Sequence, residues 1–135
     1  MLSDQPVIPV SRVVERIDAA IVVIGRNREY IEEEINYLAH LVSLFIAYYG
    51  DVEGNQGKLH ADYYRLYPCR SILIKSSVKS SDLKELEEML NRVSNEKTIQ
   101  TDEAINIASK LDLISNALWV KQETLHQMQL ISYAY

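Results

Sequence analysis

VSRVVERIDAAIVVIGRNREYIEEEINYLAHLVSLFIAYY, residues 10–49, is the most regular stretch of this chain. Val10, Val14, Ile17, Ile21, Ile24, Arg28, Ile31, Ile35, Leu38, Val42, Phe45 and Tyr49 follow one another at alternating spacings of four and three, with Arg28 the single charge. Positions three and four apart share one face of an α-helix, so the series reads as the seam of a helix packed on another helix. From Arg12 to Tyr49 that helix spans roughly 38 residues, or about 57 Å at 1.5 Å per residue. A compact chain of this length has a diameter near ~37 Å, so a straight helix predicts an elongated molecule. Gly25-Arg26-Asn27 is the obvious place for a break, because Gly can close one helix and Asn can cap the next. The register passes through Arg28 without a slip, which an arbitrary loop has no reason to preserve, and this favours continuity. Ala39, Leu41, Leu44, Ile46, Ala47 and Tyr48 flank the seam in its second half, so that half needs several neighbours.

A second regular stretch follows Thr101, with Asp102 and Glu103 in a first turn where the helix dipole favours negative charge. Its seam is Ala104, Ile107, Leu111, Ile114, Leu118, Lys121, Leu125, Met128 and Ser132, and Leu113, Trp119, Val120, Leu130 and Tyr133 form a stripe beside it. Between the long helices, Leu59, Tyr63 and Leu66 have helical spacing up to Pro68, which ends or restarts the helix. SILIK at 71–75 suits a short strand or a helical turn, and a lone strand would be unstable. Leu83, Leu86, Leu90 and Val93 predict an amphipathic helix capped by Ser81 or Asp82. Residues 1–10, with two prolines and no periodicity, read as a leader, and DVEGNQG at 51–57 as a polar, exposed connection. The expected fold is all-α: an elongated helical bundle with two long helices at about 12–49 and 102–133, one or two shorter ones between, and a single domain over 11–135.

The composition agrees. Of 135 residues 47% are hydrophobic and 24% charged, enough apolar matter for a core, and Gly and Pro together number seven, too few for an all-β chain. The net charge of −5 argues against general attraction to nucleic acid or an anionic membrane. A lone cysteine, Cys69, rules out an internal disulfide and suggests a cytoplasmic protein. The uncharged run at 35–49 is too short to span a bilayer.

No motif in the chain identifies a reaction. Long helices apolar beyond one seam would expose large patches in a monomer, so a homo-oligomer is expected. Its interface would use Ile17, Ile21, Ile24, Ile31, Ile35, Leu38, Val42 and Phe45 from the first helix and Leu111, Ile114, Leu118, Trp119, Leu125 and Met128 from the last. Arg28 and Lys121 within the seams would set register or snorkel outward. Residues 58–79 carry a local charge of +4, and Lys58, Tyr63, Tyr64, Arg65, Tyr67, Arg70 and Lys75 form the best anion or nucleic-acid surface. Tyrosine faces stack on unpaired bases while cations neutralise phosphates. The same residues suit contact with an acidic subunit or an ordinary solvated face.

Metal chemistry has weaker support. Glu123 and His126 have the Glu-x-x-His spacing of di-iron bundles, but the complete site needs two such pairs and bridging glutamates. Glu29 and Glu32 to Glu34 resemble one half of a magnesium site in helical pyrophosphohydrolases, whose second acidic pair is replaced here by Ser109 and Asp112. His40 and His60 default to a packed and an exposed histidine. LDLISNAL at 111–118 resembles part of the last helix of the recombination mediators of T4-like phages, small helical oligomers that act with single-stranded DNA. The basic segment that follows it there is absent here, and no family is assigned. The expectation is a non-enzymatic helical assembly or adaptor protein without a cofactor, contacting itself and an unidentified protein partner but no membrane. The alternatives are a single-stranded nucleic-acid accessory protein and a di-metal or magnesium enzyme.

Overall fold

The computed structural model describes residues 6–50 and 59–134, with side chains described over 6–50 and 61–119. The first half of the expected leader, the 51–57 connection and Lys58 lie outside the described residues, as do the side chains of Leu59, His60, Lys121, Glu123, Leu125, His126 and Met128. The elements are α1 (Val10–Ile21), a π-helical turn (Val22–Arg26), α2 (Glu32–Tyr49), α3 (Leu59–Arg65), α4 (Pro68–Ile74), α5 (Ser80–Glu96) and α6 (Thr101–Ala134). There is no strand among the described residues, so SILIK is the last turn of α4 with Lys75 as its C-cap, and Pro68 opens α4 at a position where its missing N–H costs nothing.

The continuous first helix is corrected to two helices joined by a reversal, α1 packing on α6 and α2 on α5. Asn27 N–H bonds to the Val22 carbonyl at 3.1 Å and Glu29 N–H to the Val23 carbonyl at 3.2 Å, closing the π turn around a left-handed Arg28 (φ 54°). The chain then runs extended to Ile31, which starts α2 without a side-chain cap. Gly25 does not terminate a helix. It lies inside the π turn, where a Cβ would stand 2.9 Å from the Ala108 Cβ, so it serves close approach to α6.

α1, α2, α5 and α6 form an antiparallel bundle. α1 packs along α6 and α2 along α5, while α5 and α6 form a hairpin. Register is fixed by Asp18 accepting from Ser115 Oγ at 2.6 Å, Glu87 accepting from Ser43 Oγ at 3.0 Å, and the ion pair of Arg92 with Glu103 at 2.6 Å. At the far end of the hairpin Lys110 Nζ lies 2.8 Å from Asp82 and 3.0 Å from Glu85. Asp82 also accepts the Lys79 backbone N–H at the start of α5, and the Lys110 and Lys79 hydrogen bonds hold its carboxyl below the usual range. Glu103 Oε1 accepts the Gln100 N–H and so caps α6 from its first turn.

α3 and α4 close one end of the bundle through tyrosines. Tyr48 Oη donates to the Tyr63 carbonyl at 2.6 Å, and Tyr49 Oη lies 2.7 Å from the carbonyls of both Leu73 and Val78, donating to one at a time. These bonds satisfy backbone acceptors in a segment with no long helix of its own. Cys69 is buried here, and burial pushes its thiol up to about 12, which makes it an apolar filler rather than a nucleophile.

Candidate functional site

The fold redistributes the residues singled out for an interface. Ile17, Ile24, Ile35, Leu38 and Phe45 are 0% exposed, and Val42, Leu111, Ile114 and Leu118 are also buried. The reversal at 27–31 lets one chain cover its own seams, so these side chains form the monomer's core and not a free subunit surface. Ile21 and Ile31 are half-buried, while Trp119 is 51% exposed. Ile105, Asp112 and Trp119 recur at heptad spacing on the outer side of α6, and all three are exposed. Trp119 borders a groove of about 370 Å³ shared with α1, where Glu15, Asp18 and Asp112 supply three acidic groups.

The basic tyrosine-rich segment divides. Tyr63 is buried edge-on against Tyr48, with ring centroids 4.8 Å apart, and is part of the core. Tyr64 is half-buried and stacks on Tyr67, which is 44% exposed. The Arg70 guanidinium lies 5.5 Å from the Tyr67 ring centroid, and Lys75 is exposed. Arg65 pairs with Asp62 at 3.4 Å.

Arg65 belongs to a site that sequence reasoning did not assemble. α1 and α2 are antiparallel but meet through long side chains, and α3 lies across the gap. The result is a cleft of about 380 Å³ lined by Ile8, Arg12, Val13 and Arg16 before the break, Tyr37, His40 and Leu41 from α2, and Asp62, Arg65 and Leu66. Arg16 forms an ion pair with Glu34 and places its guanidinium 4.4 Å from the Tyr37 ring centroid. His40 Nε2 lies 2.7 Å from Asp62 Oδ2. Ile8 N–H donates to the Arg65 carbonyl at 2.8 Å, so the segment leading into α1 forms one wall. Burial raises the Tyr37 hydroxyl above its ordinary pKa against the opposing effect of Arg16, which leaves it a neutral donor. In sequence, the signal for this site was three arginines and a histidine on helices that also carry seams, and cations on a helix face are ordinarily solvated.

Among the described residues, no three His, Cys, Asp or Glu side chains gather closely enough to hold a metal ion. None of the helices described is long and apolar enough to cross a membrane. No family model matches this chain, and no curated protein or solved structure matches it either.

Proposed function

We propose that this chain is a non-enzymatic helical assembly and adaptor protein that associates with its own copies through the outer face of α6. The observation that carries this reading is the exposure of Trp119 on a helix that continues to Ala134. At 34 residues α6 is about 51 Å long, twice the length of α5. A tryptophan covers about 150–250 Å², whereas a stable pair of proteins buries about 1,200–2,000 Å² in total. Trp119 is therefore an anchor that needs the rest of the helix. Beyond it the sequence supplies Leu130 and Tyr133 at positions eleven and fourteen residues on, the helical spacing of the Trp119 face, which suits α6 to a helix-on-helix contact with a second copy.

Light scattering over a concentration series tests the reading. The expected result is a dimer or larger assembly that Trp119→Glu with Leu130→Glu converts to a monomer while its helical circular dichroism is retained. A wild-type monomer at about 100 μM, far above a micromolar dissociation constant, overturns it.

Tyr67 favours a second reading, an accessory protein for single-stranded nucleic acid. An exposed ring beside Arg70, with Lys75 nearby in sequence, offers a base-stacking face and phosphate contacts. Salt-sensitive binding of a labelled oligonucleotide that Arg70→Glu with Lys75→Glu removes would support it, and no binding at low salt would end it.

A further inference from the structure

We propose that the cleft between α1, α2 and α3 binds a small organic monoanion, a carboxylate carried on a compact apolar body. The charge balance selects the head group. Arg16 and Arg65 are each matched by a carboxylate, Glu34 and Asp62, whereas Arg12 has no ion-pair partner among the described residues. Three guanidiniums against two carboxylates leave an excess of positive charge at the mouth. An anionic head group is drawn to that excess, and the guanidinium fork of Arg12 suits the two oxygens of a carboxylate.

Hydrogen-bonding capacity points the same way. Arg65 Nε–H is buried without an acceptor among the described residues, and the Tyr37 hydroxyl has no hydrogen-bond partner among them. A bound carboxylate offers two acceptor oxygens to the Arg12 guanidinium and the Tyr37 hydroxyl, whereas Arg65 Nε–H is closed to solvent and reaches a ligand only if its side chain shifts. The remaining wall selects the body: Ile8, Val13, Leu41 and Leu66 supply apolar surface, and Leu66 and Val13 are themselves buried. The volume of about 380 Å³ falls in the range of small-molecule sites, about 300–1,000 Å³. The site is separate from the outer face of α6, and it is occupied or empty whether or not the chain assembles.

The test is titration of the isotope-labelled full chain with phenylacetate, hexanoate, uncharged phenylacetamide and inorganic phosphate, followed by amide chemical shifts. The expected result is binding of both carboxylates at about 1 mM, with shifts centred on α1, α2 and α3, and at least about tenfold weaker binding of phenylacetamide and phosphate. Arg12→Glu should weaken phenylacetate about tenfold, while Lys84→Glu, an exposed cation on α5 outside the cleft, should leave it unchanged. Arg12 is exposed, so its replacement should leave the fold intact, which circular dichroism of the same sample checks. Equal binding of phenylacetamide or phosphate, no effect of Arg12→Glu, or no carboxylate binding at about 20 mM overturns the proposal.

Discussion

Gly25 sits where the π turn meets α6, with space for a hydrogen but not for a methyl group, since a Cβ there would lie 2.9 Å from the Ala108 Cβ. Two effects compete in Gly25→Ala. Replacing glycine in a helical backbone gains about 1 kcal/mol, and forcing a methyl into packed surroundings loses about 1–3 kcal/mol. The contact is with a helix-bound Cβ that cannot swing aside, so the loss should prevail by roughly 1 kcal/mol in denaturant unfolding. Ala108→Gly in the same chain should recover part of that loss, giving a coupling of about 1 kcal/mol, because it removes the atom that clashes. Strict additivity of the two changes would show that the contact is not the cause. The sequence displayed Gly25 as punctuation, and its packing role depended on residue 108, more than eighty positions away. The cleft was hidden for the same reason. Arg12, Tyr37 and Asp62 each have an unremarkable local setting, and only the folding back of α2 on α1 with α3 across them brings the three together.

At the scale of elements, periodicity located the helices but did not reveal where one helix became two. Leu83, Leu86, Leu90 and Val93 are all buried, as the three-four rule requires, and α6 begins and ends within a residue or two of expectation. Across Arg28 the same rule misled. Ile24 lies in a turn packed on α6 and Ile35 in a helix packed on α5, so the even spacing joins residues buried by different neighbours. A seam states that a position is covered and not by what. The break itself has an energetic mark in the left-handed Arg28, a conformation costing roughly 1–2 kcal/mol for a residue with a Cβ. Arg28→Gly should therefore stabilise the chain by about 0.5–1 kcal/mol in chemical denaturation, after the extra flexibility of unfolded glycine is counted. A continuous helix through residue 28 would give the opposite sign, a loss of about 1 kcal/mol. The direction of this one change thus separates the two architectures.

For the molecule as a whole, the folded-back arrangement explains why so much apolar sequence does not require a partner: a single chain buries Ile17, Ile24, Ile35, Leu38 and Phe45 against its own helices. What remains for association is the outer side of α6, which is why the assembly reading now rests on Trp119 and not on the first helix. The reversal at 27–31 has a further consequence. It joins two seams that are already in phase, and it ends at a helix start with no side-chain cap. Straightening it would turn α1 and α2 into one rod, carrying α1 away from its own α6 and presenting it to the α6 of another copy. Every contact of the closed chain could then re-form between two intertwined chains, an exchange of α1 that changes connectivity without changing the core. Refolding at high concentration should yield a slowly interconverting dimer on size-exclusion chromatography, and Arg28→Gly, which favours the bend, should reduce its share. An unchanged share would mean that the bend does not govern the exchange. A larger share for the native chain than for Arg28→Gly would make the strain in one left-handed turn the term that weighs a bundle closed by a single chain against one built from two.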